Sequence, residues 1–152
     1  MGLDMYLEAR RFMWVFSDGE GKDAETVRKI REALPELGDM RVNYVTAEAA
    51  YWRKANAVHA WFVQNVQNGE DDCGHYHVSR EKLEELASVC NRVLEDPSKA
   101  DELLPTQSGF FFGSTDYDEW YRRNLEYTRD RLRALLDDPQ LEGWEFQYHS
   151  SW

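Results

Sequence analysis

Cysteine, proline and basic side chains are in short supply in this chain, and long apolar runs are missing. Its two cysteines, Cys73 and Cys90, form no C-x-x-C pair. They are too few for the disulfide framework of a small secreted protein, so a reducing compartment is expected. No stretch approaches the roughly 18 apolar residues of a membrane span. The start Met1-Gly2-Leu3-Asp4-Met5-Tyr6 carries no basic segment followed by an apolar run, so no signal peptide is expected, and Tyr6 stands where a myristoylation start has Ser or Thr. Together these absences predict a cytoplasmic protein that does not engage membranes. Lys and Arg number 18 against 29 Asp and Glu, a formal net charge of -11. That balance repels phosphate backbones and argues against direct nucleic-acid binding, while leaving a basic partner protein open. Also absent are G-x-S-x-G, H-E-x-x-H, G-x-G-x-x-G and a Cys with a placed His partner, so no catalytic template is matched and no cofactor is expected.

Aromatics, by contrast, are plentiful: six Trp, eight Tyr and seven Phe make 14% of the residues and predict an aromatic core. A length of 152 residues fits one domain, 1–152, and no linker, repeat or low-complexity tract divides it.

The periodicities predict an α+β fold. Residues 3–15 alternate as a first strand, and Ser17-Asp18-Gly19-Glu20-Gly21 reads as a turn. Asp23 then caps a short helix bearing Val27, Ile30 and Leu34. A second strand is predicted over 40–45. Residues 47–67, rich in alanine and aromatics and free of Gly and Pro, predict the longest helix, with Tyr51, Ala55, Val58, Phe62 and Val66 as its buried stripe. Residues 75–78 read as briefly extended. Ser79 caps a third helix bearing Leu83, Leu86, Ala87, Cys90 and Val93. A long connection through Phe110-Phe111-Phe112 leads to a capping box at Thr115 and Asp118 and a fourth helix bearing Tyr121, Leu125, Leu132 and Leu135. The tail 143–149 alternates aromatic and polar residues as a half-buried strand. If the terminal strands share a sheet, the result is a small mixed or antiparallel sheet packed with about four helices.

Three segments could carry chemistry. On the predicted 47–67 helix, His59 lies one turn from Asn56 and two from Trp52, with Arg53 and Lys54 near the same end. That spacing suits a general base or a flat-ligand pocket, to which Tyr76 and Phe111 could add aromatic walls. The competing reading is a satisfied core histidine, since no Asp or Glu lies at i±3 or i±4 to orient it. Cys73-Gly74-His75-Tyr76-His77 would project Cys73, His75 and His77 to one side of an extended segment as metal ligands, with Asp71 or Asp72 adding an oxygen. The trio matches no common zinc signature, so incidental histidines on a surface strand are the default and no metal is expected. The loop Gly109-Phe110-Phe111-Phe112-Gly113 precedes a helix start that already carries Asp116, Asp118 and Glu119. Those carboxylates would repel a phosphate. The loop reads either as a core plug or as a contact surface through Phe111, Asp116, Asp118 and Glu119.

The start Met1-Gly2-Leu3-Asp4-Met5-Tyr6-Leu7, the run from Tyr51 to Phe62, the segment from Cys73 to Glu81 and the stretch from Leu103 to Thr115 together resemble a family of small uncharacterised bacteriophage and prophage proteins. The resemblance implies no known activity or catalytic residue. It implies a setting, the cytoplasm of an infected bacterium, and from it the expectation of a noncatalytic protein that binds a host or defence protein. The alternative is a small-molecule protein, nucleotide-like in its ligand, or a small enzyme centred on His59.

Overall fold

The computed structural model describes residues 2–152; Met1, where the readings of the N-terminus begin, lies outside them. Four strands form one antiparallel sheet in the order β2-β1-β4-β3, with β1 at Asp4–Phe12, β2 at Tyr44–Arg53, β3 at Tyr76–Val78 and β4 at Glu145–Ser151. The helices are α1 (Ala24–Ala33), α2 (Asn56–Asn65), α3 (Arg80–Glu95), the one-turn α4 (Ala100–Leu103) and α5 (Glu119–Asp137). The predicted α+β fold is present, with both chain ends in the sheet: Met5 faces Ser150 and Leu7 faces Tyr148 across the β1–β4 pair.

Alternation along the strands creates two chemically distinct faces. Leu3, Met5, Leu7 and Ala9 point inward with Phe146, Tyr148 and Val78, against Val58 and Phe62 of α2, Leu83, Leu86 and Cys90 of α3, and Leu125 and Leu132 of α5. The other face carries Tyr6, Glu8, Arg10, Gln147 and His149, half-buried among one another, and exposed Tyr51, Arg53, His75 and His77.

Between residues 40 and 67 the chain departs from expectation. The single long helix is instead β2, a sharp turn and α2, and the second strand begins at Tyr44, late in the 40–45 window. Alanine and glutamate favour a helix locally, but pairing with β1 fixes the extended backbone, and tertiary pairing outweighs propensities of a few tenths of a kcal/mol per residue. Within β2, Ala50 and Trp52 are buried while Tyr51 and Arg53 are exposed, the period of a strand. The break falls at Lys54, whose φ of 54° lies in the left-handed region. A bulge opposite Leu7 and Glu8 inserts Ala49, whose carbonyl accepts from Arg131 Nε of α5 at 2.6 Å. Two residues on, the Tyr51 amide donates to the Tyr127 hydroxyl at 3.3 Å.

Helix starts follow side-chain chemistry. Ser79 Oγ accepts from the Lys82 amide at 3.2 Å, and Asp118 Oδ1 from the Tyr121 amide at 3.0 Å. Asp118 itself is thus the cap of α5, and the helix starts three residues later than a capping box at Thr115 would place it. Asp23 precedes α1 without capping it through its side chain; its carboxylate instead accepts from the Trp14 amide at 2.8 Å and pairs with Arg11 at 3.0 Å, pinning the turn after β1.

Between α3 and α5, burial pushes the Cys90 thiol up to about 12 and raises the Tyr121 phenol, whose hydroxyl donates to the Leu104 carbonyl at 2.7 Å. Both groups are neutral in the fold and ionise more readily when unfolded. Their contribution to stability is therefore full below about pH 9 and lost as pH rises toward the folded values. The urea midpoint should hold from about pH 7 to 8.5 and then fall, and Tyr121→Phe should flatten the fall above about pH 10. Native protein at pH 8 should yield one thiol, Cys73, to Ellman's reagent, and unfolded protein two.

Candidate functional site

Seven of the ten residues of α2 are buried, and two of the seven, Asn56 and His59, are polar. A polar side chain in such a helix must be satisfied by the protein itself. Asn56 Nδ2 donates to the carbonyls of Phe112 at 3.1 Å and Ser114 at 2.9 Å, and its Oδ1 accepts from the Gln107 amide at 3.0 Å. One amide thus holds both arms of the connection between α4 and α5.

His59 is 1% exposed and uses both ring nitrogens. Tyr148 Oη lies 2.7 Å from Nδ1, and Asp71 Oδ2 lies 2.9 Å from Nε2. Burial holds the Tyr148 phenol well above its usual range, so this hydroxyl keeps its proton and donates it to Nδ1. The imidazole proton then sits on Nε2 and is donated to Asp71. Asp71 Oδ1 also accepts from the indole of Trp152 at 3.1 Å. The Tyr148 ring stacks on Phe62 at 3.9 Å, and Phe112 meets the His59 ring edge-on at 5.4 Å. This chain joins β4, α2, the loop after α2 and the last residue. With both nitrogens engaged inside the core, His59 has none free to act on a substrate.

The residues expected to line a ligand pocket are divided between core and surface. Trp52 is buried on β2, where its indole donates to Thr128 Oγ1 of α5 at 2.8 Å. Asn56 and His59 lie in the interior as described. Arg53 is exposed on the open sheet face, and half-buried Tyr76 donates from its hydroxyl to Asp72 at 2.8 Å. The crevice beside Asn56, which includes Lys54, Ser114 and Trp120, holds about 10 Å³. That is room for one water and far from a nucleotide.

The three phenylalanines part ways. Phe112 is buried, folded over Gly109, where a Cβ would fall 2.4 Å from its ring. Phe110 and Phe111 are 80% and 45% exposed. Phe111 takes a φ of 64°, which costs a bulky residue about 1–2 kcal/mol. The loop is therefore a core plug at Phe112 and a displayed surface at its other two rings. Beyond it, a largely apolar groove of about 290 Å³ is walled by Tyr117, Val93, Leu94 and Pro97 and carries the charged side chains of Asp118, Glu119 and Arg122. Asp116 stands on the neighbouring crevice.

Cys73, His75 and His77 do not gather around a common point. The His75 ring instead stacks on His149 at 4.2 Å, and the donor atoms of Glu8, His75 and His149 lie within 4.8 Å of one another. Nothing local in the sequence pairs Glu8 with His149, because their proximity is a product of strand register. Likewise the residues that orient His59 come from 12 and 89 positions away, outside any helical spacing.

Compared with family models, curated proteins and solved structures, the chain has no significant match.

Tyr148→Phe removes the only donor to a buried imidazole nitrogen and should lower stability by about 1–3 kcal/mol in urea unfolding. Asp71→Asn keeps an acceptor for His59 Nε2 and should cost less. Near-equal, negligible losses would show that the chain of hydrogen bonds contributes little.

Proposed function

We propose that the protein is a noncatalytic binding protein that docks on a basic host or defence protein through the surface running from Phe110 to Glu119. The observation that carries this reading is the apolar groove beside Asp118 and Glu119 at the start of α5. Asp118 and Glu119 line it together with Arg122 over apolar walls from Val93, Leu94 and Pro97. Glu119 also pairs with Arg122 at 3.9 Å and Arg123 at 3.4 Å, exposed pairs that a partner's Lys or Arg can displace. Such a combination suits a partner segment that pairs apolar anchors with Lys or Arg. The exposed rings of Phe110 and Phe111 add a second apolar display on the same connection before α5, and their strained turn is held from beneath by Phe112 and Asn56. A net charge of -11 steers a basic partner and repels nucleic acid. Among the described residues no helix is long and apolar enough to cross a membrane. The resemblance to phage and prophage proteins supplies the class of partner, a component of the bacterial host cell or its defences. The engaged nitrogens of His59 weigh against the alternative of a His59-centred ligand pocket or enzyme.

The decisive variant combines Phe111→Ala, Asp116→Lys, Asp118→Asn and Glu119→Lys. Asparagine at 118 keeps the cap on the Tyr121 amide while removing the charge. Immobilised wild type should retain a discrete host protein from bacterial lysate, and the variant at least tenfold less, with unchanged circular dichroism. Retention that is equal in both, or no retained protein, would overturn the reading.

A further inference from the structure

We propose that Glu8, His75 and His149 form a binding site for a divalent transition-metal ion of the zinc type on the open face of the sheet. The site goes beyond the docking surface, and it follows from strand register. Tyr6 lies opposite Tyr51 on one side and His149 on the other, while Tyr76 lies opposite Tyr148, so that His75 falls beside His149. One row, Tyr51, Tyr6 and His149, therefore crosses β2, β1 and β4 and ends at His75, one residue before β3. In the next row Glu8 faces Gln147, which places its carboxylate diagonally to His149.

The ring of His149 is held on both faces. Tyr6 stacks on one side at 4.8 Å and 16°, and His75 on the other at 4.2 Å and 23°. Its Nε2 lies 3.4 Å from Glu8 Oε1. In a tetrahedral site with bonds of about 2.0–2.1 Å, donors stand roughly 3.4 Å apart. The His149–Glu8 edge already has that length, and the other edges are no longer than 4.8 Å. Since an ion must lie near the plane of each ligating imidazole, the exposed His75 ring swings out of its stack on His149 to close them. Two imidazoles and one carboxylate match Zn²⁺, Cu²⁺, Ni²⁺ or Co²⁺ and suit Mg²⁺ and Ca²⁺ poorly, since those ions take oxygen donors. With three protein ligands, the fourth position is left for water. The surrounding negative charge favours a cation, and Glu8 supplies the one formal charge within the ligand set.

Calorimetric titration of protein without a histidine tag with zinc chloride tests the assignment. One Zn²⁺ per chain is expected, with affinity at least tenfold lower in Glu8→Gln, His75→Ala and His149→Phe. His77→Ala and Cys73→Ser should bind within twofold of wild type. His75 is exposed at the sheet edge, so His75→Ala reports on binding even if His149→Phe disturbs the sheet. With Cu²⁺ as probe, electron paramagnetic resonance should show coupling to two imidazole nitrogens in wild type and to one in His75→Ala. Absence of binding at 1 mM zinc chloride would overturn the site, as would losses that follow Cys73 and His77 while Glu8→Gln binds normally.

Discussion

The pairing of β1 with β4 is the constraint on which the rest of the molecule depends. It joins the first ten residues to the last ten, so it closes almost the whole chain into one loop before the sheet has a centre. Strand β3 has β4 as its neighbour, and β2 has β1. Without β4, β3 loses its place, His59 loses the Tyr148 hydroxyl, and Asp71 loses the Trp152 indole. Such long-range closure is entropically costly and slows folding, because the loop must close before the contacts it brings together can offset it.

Charge and aromaticity are sorted by the sheet. Its inner face takes rings that need nothing from water, or, like Tyr148 and Trp52, rings whose polar tips find a partner inside. Its outer face collects side chains with titratable or hydrogen-bonding ends, aligned by register into rows. The two histidines with functional interest thus have opposite fates: His59 is consumed by the core, and His149 is displayed next to another imidazole and a carboxylate.

Much of this was legible wherever local pattern and final structure agree. The stripe through Leu83, Leu86 and Cys90 and the alternation Phe146, Tyr148 encode their own burial within a few residues, and Ser79 marks its own helix start, while the start of α5 falls at Asp118 and not at Thr115. The segment from Ala47 to Arg53 did not, because its alanines favour a helix while its partner strand lies some forty residues earlier and sets a period of two. Trp52, Asn56 and His59 look like one helical stripe but fall on a strand and a helix separated by the turn at Lys54. The sites are less legible than the fold for the same reason. Asp71, Tyr148, Glu8 and His149 acquire their meaning from partners across the sheet or on a distant loop, whereas the acids around α5 stand together in sequence and were visible as a cluster.

The bulge in β2 has a consequence for how the molecule behaves among its own kind. An outermost strand offers unpaired amides and carbonyls to any passing extended chain, the usual route to sheet-to-sheet stacking. Here α5 reaches over that border: Arg131 occupies the Ala49 carbonyl and Tyr127 the Tyr51 amide. At the opposite border β3 is only three residues long. The sheet is thereby covered by a helix at two backbone groups of one margin and kept to three residues at the other, which leaves an incoming strand less to pair with at either border.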